Sequence, residues 1–244
     1  MKKLTFYTLV VIFSLTFTGC AKRAAFEYSP SEKVSTELKN APLPLKVAVT
    51  SFLDARGQDN TSYLPLDLIP LVPYASMNYD RPDASNRFVY HAAYNFRPSE
   101  DFAKAVVDEM KQNHFFEEVF FTQREREPNV DLIVTGKIVN TRYHAKVLSY
   151  GLSIYGRLLP LIGLPIGNTQ NSLSLFLEMR RASDNIVVWS YEVNGEWGKT
   201  VGIYYNWAAD FDGYPLILRE GLHAGMEKLA DDLRTKELGY WKGK

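Results

Sequence analysis

A single cysteine, Cys20, serves this 244-residue chain, and it stands directly behind an apolar run. No disulfide can form within the chain, so the fold has to rest on its core and its hydrogen bonds. Lys2 and Lys3 open the chain, Leu4 to Phe17 make the run, and Thr18-Gly19 close it before the cysteine. A positive n-region, a hydrophobic h-region and a small-residue cleavage site are the parts of a cleaved export signal. The run is too short for an ordinary membrane-spanning helix. Residues 1–19 are therefore a leader, and the folded part is sought downstream.

The cysteine placed just after Gly19 resembles the signal of bacterial lipoproteins, with Phe17 where leucine is usual. The resemblance implies cleavage before Cys20, a diacylglycerol on its thiol and an acyl chain such as palmitate on its amino group. Two or three acyl chains hold a protein at a membrane far more firmly than one. Ala21 in place of aspartate implies, by the sorting rule of enteric lipoproteins, the outer membrane, facing the periplasm. The alternative is a plain secretory signal that leaves Cys20 as a free thiol.

Loss of Lys2 and Lys3 with the leader leaves 26 basic against 28 acidic side chains. That balance gives no electrostatic case for nucleic acid or for an anionic surface. The 46% hydrophobic content is ample for one core. Residues 20–43, lipidated cysteine included, read as a flexible tether rich in Lys, Glu, Ser and Pro.

The first strand is expected at Leu45–Phe52, broken by Asp54, Arg56 and Gly57. Pro65, Pro70 and Pro73 make residues 58–97 a long loop, apolar enough to lie against something. Ser99 is placed to cap a helix whose Phe102, Val106, Val107 and Met110 share a face. Strands follow at 118–121 and 131–139, then a hairpin in which Leu173, Leu175, Leu177 and Met179 alternate. Leu218, Leu222, Met226, Leu229 and Leu233 stripe a last helix, flanked by Gly221 and Gly225 where a sheet could pack closely. The pieces predict one α+β domain over 44–237, a mixed sheet with helices mainly on one face, and a tail over 238–244.

Residues 147–167, VLSYGLSIYGRLLPLIGLPIG, carry only Arg157 as charge, and their glycines and prolines forbid one continuous helix. Three readings stay open for this apolar insertion: a buried connection, an exposed patch for a partner or for self-assembly, and contact with the bilayer.

No nucleophilic cysteine, nucleophile elbow, P-loop or dinucleotide fingerprint is present. His91, His114, His144 and His223 lack metal-ligand spacing, so no metal and no cofactor is expected. Asp210 and Asp212 sit among Trp197, Tyr204, Tyr205, Trp207, Phe211 and Tyr214. Acids amid aromatics suit a glycosidase or a glycan-stacking surface, and peptidoglycan would supply such a ligand. The same residues suit a turn and the closing of a core end.

Lys46-Val47-Ala48-Val49-Thr50-Ser51-Phe52-Leu53-Asp54, the helix from Phe102, Phe115-Phe116-Glu117-Glu118-Val119 and Asp131-Leu132-Ile133-Val134-Thr135-Gly136-Lys137-Ile138 follow in that order. This order resembles the periplasmic α/β domain group that includes CsgG, the N-terminal domain of TolB and LpoB. It covers about residues 44–140 and implies a binding or assembly role in the envelope. The expected function is thus a non-enzymatic, lipid-anchored accessory protein that binds other envelope proteins or itself. Leu158, Leu159 and Leu161 are the first candidate contact, Tyr205 and Trp207 the second. A glycan-binding or glycan-active protein and a membrane-inserting oligomer are the alternatives.

Overall fold

The computed structural model describes residues 24–34, 42–84, 94–124, 127–207 and 211–243. The expected leader 1–19, Cys20, His91 and Asp210 lie outside the described residues. A nine-stranded, open, mixed sheet carries helices on one face, an α+β arrangement. Strand β2 (Leu43–Thr50) is central and pairs in parallel with β7 (Phe116–Thr122) and β8 (Leu132–Asn140). Its Leu45, Val47, Ala48 and Val49 are all buried, as a central strand requires.

The spine of the sheet is a hairpin of two fifteen-residue strands, β10 (Gly167–Arg181) and β11 (Val187–Val201). The free edge of β10 is shared by two strands in succession. Strand β8 lies along 174–181, and β9 (Tyr143–Leu148) lies along 167–171. Both run antiparallel to β10, so β8 and β9 follow one line, interrupted at Thr141-Arg142. Strands β5 (Tyr74–Tyr79) and β4 (Asn60–Ser62) extend the β9 side, and the short β3 (Leu53–Asp54) lies beside β8.

Helices α1 (Pro98–Asn113) and α2 (Gly213–Thr235) cover one face. The α2 stripe of Leu218, Leu222, Met226, Leu229 and Leu233 is buried, as its spacing predicts. A Cβ on Gly221 would stand 2.3 Å from Val193 Cγ1, so the helix can approach β11 this closely only without a side chain there. The other face exposes Lys137, Glu192 and Asn194. The α1 start is set by Pro98 at the first helical position and by the Asp101 carboxylate, which accepts the Arg97 N–H at 2.7 Å. Ser99 is therefore inside the helix and does not cap it.

Three expectations are corrected. Residues 58–97 contain β4, β5 and a 3-10 helix over Leu64–Leu68, because Pro65 sits in the first turn of that helix, where its missing N–H costs nothing, and Pro70 and Pro73 fall between the helix and β5. The expected tether over 20–43 is not free at 26–34. Phe26 stacks on Phe96, Val34 is buried, and the Tyr28 hydroxyl and Ser31 N–H donate to the fully buried Glu109 at 2.7 and 3.0 Å. Asn113 closes this strap by accepting the Val34 N–H at 2.9 Å. The expected tail over 238–244 contains helix α3 (Leu238–Lys242), whose Trp241 is completely buried in the common core.

Asp54 and Arg56, read in the sequence as strand breakers, clasp the joint between the two halves of the sheet. The Arg56 guanidinium, nearly inaccessible, donates two hydrogen bonds of 2.8 Å to Asp54 and others to Asp83 Oδ1 (2.5 Å) and Thr141 Oγ1 (2.8 Å). These Arg56 bonds hold the Asp54 carboxyl at about 2 instead of its ordinary 3.8. Lowering of this size corresponds to roughly 2 kcal/mol of stability. A depressed carboxyl stabilises above its unfolded value, so this contribution is present at neutral pH and is lost as pH falls from about 4 to about 2. Urea unfolding across that range should show the loss, and Asp54→Asn should remove the corresponding slope.

Candidate functional site

The chain turns three times at the end of the sheet toward which β8 and β9 point. Residues 63–73 enter β5 there, 149–166 join β9 to β10, and 202–207 leave β11. Together they build an apolar tip. The Asp67 side chain, 4% exposed, pairs with Arg157 through Nη2 at 2.5 Å and Nε at 3.1 Å, tying the first segment to the second. The Leu71 N–H donates to Gly151 O at 2.9 Å, and the Ser153 and Ser149 hydroxyls donate to the carbonyls of Leu68 and Val72. The Tyr204 hydroxyl donates to Leu161 O at 2.8 Å, which brings in the third segment.

The middle of the tip is a 3-10 helix over Ser153–Ile162. With three residues per turn, side chains three apart stand in one row. Tyr155, Leu158 and Leu161 form such a row and are 70%, 58% and 57% exposed. Gly156 and Leu159 form the supporting part of the next row, whose last residue, Ile162, is exposed again. A Cβ on Gly156 would stand 1.9 Å from Ser149 O, so only glycine lets the helix sit on the chain below it. Leu71, at φ 69° and 89% exposed, adds an aliphatic side chain on a backbone conformation leucine seldom adopts. The tip is thus rigidly supported while its large apolar side chains remain in water.

The two contact groups read from the sequence therefore meet in space, with differences. Leu158 and Leu161 point out, whereas Leu159 is half-buried because it falls on the supporting row. Trp207 is exposed, and the Tyr205 ring packs over Gly202. The buried-connection reading of 147–167 holds for Gly156 and Pro160, not for the outward row. The contribution of 63–73 was missed. Its signal was one charge in each apolar segment, Asp67 and Arg157, of opposite sign.

The aromatic group around Asp212 divides. Phe211 and Tyr214 are buried and continue a stack with Tyr143 and Phe96, and burial raises the Tyr214 phenol above its ordinary range. Trp197 packs half-buried against the core, with Lys199 Nζ 5.1 Å from its ring centre. Beside it, on the open face, lies a polar groove of about 480 Å³ lined by His144, Lys146, Gln170 and Glu196. Desolvation, then Lys146, lowers His144. Among the described residues no three His, Cys, Asp or Glu side chains gather as a metal site, and no helix is long and apolar enough to cross a membrane.

No family model and no curated protein matches the chain. Among solved structures it is similar to a Xanthomonas campestris protein of the DUF330 family, at 12% identity over 86% of this chain and 93% of that one, TM-score 0.41. A PelC dodecamer from Paraburkholderia phytofirmans follows at 12% identity, 80% and 90% coverage and TM-score 0.37. A Helicobacter pylori homologue of a neuraminyllactose-binding hemagglutinin has 11% identity, 91% and 97% coverage and TM-score 0.37. Likenesses at this level carry nothing about function.

Proposed function

We propose that this is a lipid-anchored, non-enzymatic accessory protein of the cell envelope that works by docking its apolar tip onto another envelope component. Cys20 would carry the acyl chains, and the α+β domain would present the tip. The observation that carries the reading is the outward row of Tyr155, Leu158 and Leu161 on a support fixed by the Asp67–Arg157 pair. A chain that needed this row only for stability would bury it.

The double variant Leu158→Ser, Leu161→Ser tests it. Both side chains are exposed, so unfolding free energy should stay within about 0.5–1 kcal/mol of the parent. Each leucine buried in a docked state contributes about 1.5–3 kcal/mol, so docking should weaken by about tenfold or more. Docking is read in cells as adducts from a photoreactive residue at position 155 in the full-length chain. Unfolding of the variant would return the segment to the core, and undiminished adducts would remove the tip as the docking surface.

A further inference from the structure

We infer that the component under the tip is the lipid bilayer into which Cys20 is anchored, entered to the depth of its interface. The inference rests on the docking reading above and names its occupant.

Charge is the first argument. In residues 63–74, 147–167 and 197–207 the only acidic side chain is Asp67, and it is buried against Arg157. The one exposed charge in the three segments of the tip, Arg157, is basic, so no exposed acid there opposes a surface of anionic lipid headgroups. Side-chain type is the second. Leu71, Leu158, Leu161 and Ile162 are its exposed aliphatic side chains, and Tyr204 and Trp207 on the third segment are more than half exposed as well. Aromatic rings with polar tips favour the headgroup level of a membrane. The backbone sets the depth. A ten-residue 3-10 helix cannot span the hydrocarbon, so the tip reaches the interface only.

The path of the N-terminus is the third and independent argument. Strand β1 (Ala24–Ala25) pairs with β6 (Tyr94–Asn95), just before α1. The N-terminal end of α1 lies at the end toward which β2 points, since the Phe52 N–H donates to Ser99 O at 2.9 Å. That is the direction of the tip. Ring stacking connects Phe26 through Phe96, Tyr214 and Phe211 to Tyr143. From Tyr143 to Leu148, at the base of the tip, five strand residues advance about 17 Å. From Phe26 back to Cys20, six residues reach at most about 20 Å. The strap thus begins on the side of the domain that carries the tip, and six residues give Cys20 a reach comparable to the length of β9.

The test uses the full reading frame, purified from membranes in detergent and reconstituted on vesicles of phosphatidylethanolamine and phosphatidylglycerol. An environment-sensitive thiol probe is placed by Leu158→Cys, Leu161→Cys or, in the turn at the far end of the sheet, Ser183→Cys. Probes at 158 and 161 should shift to the blue and be quenched severalfold more than the probe at 183 by lipids carrying a nitroxide at the interface. Equal, weak quenching at all three positions overturns the inference. If probes at 158 then self-quench between copies, a second copy occupies the tip. If cellular adducts from position 155 are proteins, a protein does. In both cases the docking reading stands and the lipid inference falls. Labelling of the parent chain at Cys20, with failure to float on vesicles, would instead remove the anchor reading on which both depend.

Discussion

Replacing Arg56 with alanine is expected to cost the domain about 2–4 kcal/mol, a sizeable part of the stability of a typical domain, because it removes a buried guanidinium that makes charge-assisted hydrogen bonds to three side chains. The guanidinium binds Asp54 and Asp83 and the Thr141 hydroxyl, and its removal would leave the two carboxylates side by side with Arg81, 3.5 Å from Asp54, as the remaining cation. The loss should be visible as a lower urea midpoint at neutral pH. Arg56→Lys keeps the charge but cannot make the two parallel bonds to Asp54, so it should recover only part of the loss. Asp54→Asn placed in the Arg56→Ala background should also recover part, since it removes one of the opposed charges. If Arg56→Ala alone were neutral, the clasp would not hold the two halves of the sheet together.

Trp241→Ala is expected to cost a similar amount, about 3–5 kcal/mol, as for other large aromatic side chains deleted from a packed core. The side chain is completely inaccessible. It is held by a helix of five residues whose Tyr240 carbonyl accepts from Arg181 at 2.9 Å. The indole N–H finds no acceptor among the described residues. Trp241→Phe removes that unpaired donor and keeps most of the ring, so it should cost well under half as much. Thermal unfolding of both variants distinguishes core from tail. An unchanged midpoint for Trp241→Ala would return residues 238–242 to the status of a terminus.

Elements with one apolar and one polar face were legible in the sequence. The alternation of Leu173 to Met179 and the stripe of Leu218 to Leu233 needed only a period and a burial rule. Even the role of Gly221 followed, because a glycine on the flank of a packed stripe has few other uses. Less was visible where polar groups do the positioning. The first five residues of β10, Gly167 to Asn171, show no apolar alternation, since their buried positions hold Gly167, Thr169 and Asn171. The strap was unreadable for a related reason. Its main partner is Glu109, a charged residue on the buried face of α1, where spacing rules expect a hydrophobe. The tip was legible in half. Leu158 and Leu161 could be named from composition, but their row, and the turning of Leu159 away from it, depend on a 3-10 repeat that proline and glycine only hint at. The partnership of Asp67 with Arg157 spans ninety residues, and no local pattern announces it.

The strap also decides how mechanical load would enter the domain. From Phe26 to Val34 it lies along α1, beginning at the end nearer Cys20, and its bonds to Glu109 and Asn113 are spaced along that line. Tension arriving from Cys20 would act along the strap and strain these bonds together, in shear. Peeling them one at a time would require a pull from the side. A domain tugged from its N-terminal side would therefore yield at a force set by several bonds at once, and its lifetime under load would follow the barrier to their concerted rupture.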